Sequence, residues 1–130
     1  MARILLIEDD DPVRTLLRET LELDGHTVIE ARNGKQGLAL FQYANVDLVI
    51  TDIVMPEKDG LEVVMGLREK HPSVSIIAMS GADSGDYLDS ARLMDAAKVL
   101  LKPFTDDVLM AAIHDLLPGG GASAQPPVSQ

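Results

Sequence analysis

The 130-residue chain has no cysteine and no tryptophan, and only two tyrosines and two phenylalanines. Without cysteine there are no disulfides and no thiolate metal sites, which fits a reducing compartment. With so few rings, the core has to be aliphatic. Basic residues are also scarce: 11 Lys and Arg stand against 21 Asp and Glu, a net charge of −10. That balance sets the domain against nucleic acid and anionic membrane surfaces. No apolar stretch approaches the roughly 20 residues of a membrane span. Met1-Ala2-Arg3 leads straight into an apolar run that Glu8 interrupts, without the pattern of a signal peptide. GxxxxGK[ST] and GxGxxG are both missing, so neither a P-loop nor a dinucleotide fingerprint is expected. A cytoplasmic protein is the expectation.

What is present is a regular alternation. At this length one domain can bury a core without staples, and 46% hydrophobic with 25% charged residues is ordinary for a globular chain. Short apolar runs alternate with helical-period segments, the pattern of βα units and a parallel sheet. Ile4–Ile7 reads as the first strand. A helix follows with Val13, Leu16, Leu17, Thr20 and Leu21 as its apolar stripe and Pro12 near its first turn. Asp24-Gly25 ends it. The segment from His26 to Glu30 alternates enough to suggest an edge strand, and Asn33-Gly34 turns into a helix carrying Leu38 and Phe41. Strand three ends at Asp52, and the third helix follows Gly60 with Leu61, Val64, Met65 and Leu67, stopping before His71-Pro72. Strand four ends at Ser80. A polar loop over 81–85 leads to a helix over 86–95 with Tyr87, Leu88, Ala91 and Met94. Strand five ends at Lys102, and a last helix carries Leu109, Ala112, Ile113 and Leu116. Residues 1–117 form the domain. From Pro118 to Gln130 there is one large apolar residue and no period, so 118–130 is expected to be a flexible tail or linker.

Four strand ends carry polar groups of matching chemistry: Glu8-Asp9-Asp10, Asp52, Ser80 and Lys102. In open parallel sheets the carboxyl ends of the strands are where ligands bind. Acids ahead of a helix also serve as caps, and Asp10 or Asp11 suffices for that. Capping leaves Glu8 and Asp9 at the strand end itself without a reason. Three carboxylates brought close raise one another's pKa unless a cation intervenes. An all-oxygen set suits a hard divalent ion, Mg²⁺ or the similar Mn²⁺, and not zinc. Magnesium uses one or two carboxylates plus phosphate oxygens, which leaves Asp52 free to act as a nucleophile and form an aspartyl-phosphate. Lys102 is able to supply an ammonium for the phosphoryl oxygens, although a single lysine is more often a surface residue. Ser80 by itself reads equally well as a turn. The histidines, His26, His71 and His114, fall away from the acids and are expected to be structural or solvent-facing.

Four stretches together resemble the receiver domain of two-component response regulators, over essentially all of residues 2–117. They are Ile4-Leu-Leu-Ile-Glu-Asp-Asp-Asp, Asp47-Leu-Val-Ile-Thr-Asp-Ile-Val-Met-Pro-Glu-Lys-Asp-Gly, Ile76-Ile-Ala-Met-Ser-Gly-Ala and Val99-Leu-Leu-Lys-Pro-Phe. The resemblance implies a doubly wound, flavodoxin-like α/β sandwich with a parallel five-stranded sheet in the order 2-1-3-4-5. It implies that Asp52 takes a phosphoryl group from a sensor histidine kinase or a histidine phosphotransfer protein. Asp9 and Asp52 then resemble direct Mg²⁺ ligands, with the backbone carbonyl of Val54 as a third, while Glu8 acts mainly through metal-bound water. Ser80 resembles the hydroxyl switch residue and Lys102 the phosphate-binding lysine, with a cis bond to Pro103. The phosphorylated form changes binding to a downstream protein target or to a C-terminal output domain. Two positions depart from the family pattern: Val99 stands where an aromatic ring or His is frequent, and Asp95-Ala96 replaces Gly-Ala. The first puts the aromatic form of the output switch in doubt.

Two other readings compete. Haloacid-dehalogenase-type phosphatases also use an Asp nucleophile at a strand end, with a second Asp two residues on as acid/base. Here that position is Val54, which cannot move a proton. A pseudo-receiver serving only as an interaction module is opposed by the intact set Glu8, Asp9, Asp52, Ser80 and Lys102. The expectation is therefore a module that supports its own phosphoryl transfer and dephosphorylation without turning over an external substrate. Met1 directly before the first strand suggests that no domain precedes it.

Overall fold

The computed structural model describes residues 2–53, 60–81 and 97–117. Within them run β1 (Arg3–Ile7), α1 (Asp11–Leu23), β2 (Thr27–Ala31), α2 (Gly34–Tyr43), β3 (Leu48–Asp52), α3 (Gly60–Lys70), β4 (Ser75–Ser80), β5 (Lys98–Leu101) and α4 (Asp106–Leu116). The loop after Gly81 and the helix expected over 86–95, with Tyr87 to Met94, lie outside the described residues, as do Met1, Val54, Asp95-Ala96 and the segment 118–130.

All strand pairs are parallel, in the order β2-β1-β3-β4-β5. β2 is the edge its alternation suggested. The side chains of each strand divide between two cores, because successive residues of a strand face opposite sides. Ile4 and Leu6 of β1, Leu48 and Ile50 of β3, and Ile77 and Met79 of β4 pack with Leu21 of α1 and Leu109, Ala112 and Ile113 of α4. Leu5, Ile7, Val49, Ile76 and Ala78 pack with Val63, Val64 and Leu67 of α3, and Leu38 and Phe41 of α2 close over them. Strands buried on both faces read as near-continuous apolar runs, which is how β1, β3 and β4 appear in the chain.

Helix ends follow from local chemistry. Asp10 caps α1, its Oδ1 accepting from the Val13 N–H at 3.0 Å, and Pro12 occupies the first turn where its missing N–H is not needed. Gly25 closes α1 with φ 92°, a left-handed conformation that costs glycine nothing. Asn33 caps α2 through its Oδ1 to the Gln36 N–H at 2.8 Å, and Thr105 caps α4.

The first helix corrects the sequence reading. Its apolar stripe divides: Leu21 is fully buried and Leu17 half-buried, whereas Val13 and Leu16 face outward, Leu16 being 65% exposed. The inward phase is 14-17-21, which places Arg14, not Leu16, beneath the helix. In α3 the expected Val64 and Leu67 are buried and Val63 joins them, while the expected Leu61 and Met65 are only half-buried.

Candidate functional site

Register brings the polar strand ends together. Ile7 pairs with Thr51, Asp52 with Met79, and Ser80 with Leu101. One residue further along, Glu8 stands beside Asp52, and Lys102 follows the partner of Ser80. All of these groups sit at the carboxyl edge of the three central strands and β5.

Glu8 is 1% exposed; Asp52 and Ser80 are also buried, while Asp9 is exposed. One carboxylate oxygen from each of Glu8, Asp9 and Asp52 lies within 4.8 Å of the others. The Lys102 Nζ donates to Asp52 Oδ2 at 3.0 Å and stands 3.8 Å from Glu8 Oε1. Glu8 Oε2 accepts from the Asp10 N–H at 3.1 Å, but Glu8 Oε1 is buried without a hydrogen bond. Burial pushes the Glu8 carboxyl up from 4.5 to about 7; the Asp52 charge and the bond with Asp9 push the same way, against the Asp10 N–H and Lys102. A buried oxygen lacking a hydrogen bond, in an all-oxygen cluster of three carboxylates, fits a hard divalent cation.

The backbone around Asp52 is held closely. Thr51 Oγ1 donates to Asp52 O at 3.0 Å, the Ile53 N–H to Met79 O at 3.0 Å, and the Gly60 N–H to Ile53 O at 2.8 Å. A Cβ built on Gly60 falls 2.0 Å from Asp52 O and 2.6 Å from Ile53 Cα. The start of α3 is thus packed against the peptide carrying Asp52, which no side chain at position 60 permits. Ser80 Oγ lies 3.4 Å from Gly81 O. The Lys102–Pro103 bond is cis. The Val54 carbonyl is outside the described residues.

Two residues of the site were not singled out in the sequence. Gly60 read only as the residue that the third helix follows. Arg14 is buried and donates from Nη1 to the Glu8 carbonyl at 2.9 Å. Its signal was its spacing, three and seven residues before Leu17 and Leu21 on the inward phase of α1.

The histidines lie elsewhere. His71 packs against Phe41, ring centroids 4.7 Å apart. His26 is buried; its Nδ1 accepts from the Ala2 N–H at 3.1 Å and its Nε2 is 2.8 Å from Asp24 Oδ2, which His114 Nε2 also approaches at 3.3 Å. These three side chains are close enough to chelate a metal. With Nδ1 accepting from the backbone, however, the neutral His26 ring carries its proton on Nε2 and has no lone pair left for an ion.

A doubly wound α/β domain with an acid cluster, a hydroxyl and a lysine at the carboxyl ends of its parallel strands is the class that these observations define. The chain belongs to the response regulator receiver domain family, which residues 4–114 match. It is 36% identical over 117 residues to the transcriptional regulatory protein CpxR of Escherichia coli K12, covering 90% of this chain and 50% of CpxR. It is 33% identical over 115 residues to the chemotaxis protein CheY of Halobacterium salinarum, covering 88% of this chain and 96% of that one. The chain therefore spans about half the length of CpxR. Among solved structures, the response regulator TrrA of Thermotoga maritima, in complex with Mg²⁺-BeF, superposes with a TM-score of 0.80 at 36% identity, covering 90% of this chain and all of TrrA. A receiver domain protein from Clostridium thermocellum superposes with the same TM-score at 30% identity, over 89% and 94% of the two chains. Receiver domains are signalling modules rather than typical turnover enzymes. No helix among the described residues is long and apolar enough to cross a membrane.

Proposed function

We propose that this domain is a phosphoacceptor in a two-component or phosphorelay system, with Asp52 as the acceptor. The observation that carries the reading is the buried Asp52 carboxylate, 3.0 Å from the Lys102 ammonium and grouped with the carboxylates of Glu8 and Asp9. The donor is a phosphohistidine of a sensor histidine kinase or a histidine phosphotransfer protein. An Asp52 oxygen attacks phosphorus, the P–N bond breaks, and the imidazole leaves with the electron pair. Lys102 then exchanges its carboxylate partner for a phosphoryl oxygen, and the Ser80 hydroxyl offers a hydrogen bond to another. Glu8, Asp9, Asp52 and the Val54 carbonyl would hold Mg²⁺ or Mn²⁺, which when bound supplies positive charge to the phosphoryl oxygens. Mg²⁺-BeF in the TrrA structure supports this reading, since beryllofluoride mimics a phosphoryl group. The phosphorylated state alters binding to a downstream protein, or to an output domain in a longer chain. The domain acts in the cytoplasm, without nucleic acid or membrane as its own ligand, and performs no turnover on an external substrate.

Acetyl phosphate with Mg²⁺ should add a single acid-labile, hydroxylamine-sensitive phosphate to the parent protein, and Asp52→Asn should reduce incorporation to background. Intact-mass measurement reads both. Full incorporation in Asp52→Asn means that the nucleophile is another residue.

A further inference from the structure

Arg14 is a buried cation whose three donor positions reach the end of β1, the first turn of its own helix α1 and the edge strand β2. Its Nη1 donates to the Glu8 carbonyl at 2.9 Å, its Nη2 to Asp11 Oδ1 at 2.6 Å and its Nε to Glu30 Oε1 at 3.2 Å. It is 8% exposed. Glu30 belongs to the edge strand β2, Asp11 to the first turn of α1, and Glu8 follows the end of β1. The Glu8 N–H is bonded in turn to Ala31 O at 3.0 Å.

The carbonyl that Arg14 holds belongs to the peptide between Glu8 and Asp9. Rotating that peptide plane swings Asp9, whose side chain is exposed and whose carboxylate belongs to the acidic cluster. We propose that Arg14 is a positioning residue: it locks the Glu8–Asp9 peptide and thereby sets the affinity of the acidic pocket for a divalent cation. This rests on the metal reading above. Groups that orient ligands from outside the coordination sphere commonly change metal affinity by about tenfold to a hundredfold. A lysine cannot replace the fork, because an ammonium is a single point contact on a flexible stem.

The neighbouring Arg18 is the control. It pairs with Glu22 at 3.1 Å and with the same Glu30 at 3.2 Å, so its loss weakens the same helix and strand without releasing the Glu8 carbonyl. Mg²⁺ titrations followed by the backbone amide shifts of residues 8–11 and 52 should give a Kd for the parent, Arg14→Met, Arg14→Lys and Arg18→Met, alongside melting curves without metal. Arg14→Met should bind about tenfold to a hundredfold more weakly. Arg14→Lys should recover stability yet remain about tenfold weaker, and decides the matter if Arg14→Met does not fold. Arg18→Met should stay within about twofold of the parent while losing stability. An unchanged Kd in the Arg14 variants, or an equal loss in Arg14→Met and Arg18→Met, overturns the role while leaving the metal reading intact. A parent with no saturable Mg²⁺ response overturns the metal reading, and the role falls with it.

Discussion

Glu8 holds its proton more tightly in the folded protein than in the unfolded chain, since burial and the Asp52 charge raise its carboxyl from 4.5 to about 7. The stability this contributes is complete below about pH 4.5 and is lost as pH rises through about 7. Glu8→Gln removes the charge at every pH. In metal-free buffer it should raise Tm most above pH 7, by on the order of 1 kcal/mol or roughly 4 °C, and the gain should shrink when Mg²⁺ is added. Melting curves from pH 4.5 to 8 check this; parent and variant curves offset equally at all pH values would refute it. Gly60 is the other residue on which the site depends. Gly60→Ala puts a methyl against the Asp52 carbonyl and the Ile53 Cα, both backbone atoms that yield only if β3 shifts. It should cost about 2–3 kcal/mol in urea unfolding and slow phosphate incorporation, because the displaced peptide carries Asp52, the proposed acceptor.

Among the elements, α1 shows how far periodicity reaches. The 3-4 spacing of its apolar residues correctly announced a helix, yet two stripes satisfy that spacing, 13-16-20 and 14-17-21, and an outward apolar stripe is indistinguishable from an inward one without a neighbour to face. The structure places Leu21 against Ile4, Leu6 and Ile113 and leaves Leu16 outside. Leu21→Ala should therefore cost about 2–5 kcal/mol, and Leu16→Ser should stay within about 0.5 kcal/mol. Comparable losses at both positions in chemical denaturation would reverse this assignment of faces. The strands were easier to read. β1, β3 and β4 are covered on both sides by helices, so each appears as an unbroken apolar run ending in a polar residue, and the end of the run marks the end of the strand.

For the molecule as a whole, the sheet order sets the site. Chain direction reverses its progress across the sheet between β1 and β3: β2 lies on one side of β1 and β3 on the other, so the helices following β1 and β3 diverge and open a crevice where Glu8, Asp9 and Asp52 meet. We propose that the domain ends by Leu117. The segment after it contains one large apolar residue, Val128, and has little surface to bury. Truncation after Leu117 should leave thermal stability within about 0.5 kcal/mol and phosphate incorporation unchanged; a loss of several kcal/mol would show that the segment docks.

Alternation of apolar runs and helical periods, turn residues such as Asp24-Gly25, and acids, hydroxyl and lysine at four strand ends were all legible in the chain, because each is a local property. Backbone conformation and capping depend on residues within a few positions of one another. The sequence also grouped Asp52, Glu8, Asp9, Ser80 and Lys102 by their chemistry, and the fold brings the three carboxylates and the Lys102 ammonium together. What required the fold was distance and depth. Glu8 is buried and Asp9 exposed although they are neighbours in the chain, since one continues the inward series of β1 and the other turns away. The 3.0 Å contact of Lys102 with Asp52 spans fifty residues. Arg14 beneath α1 and the methyl-excluding approach of Gly60 come from the packing of helices on a particular sheet, and packing is a relation between elements that no single stretch of sequence contains.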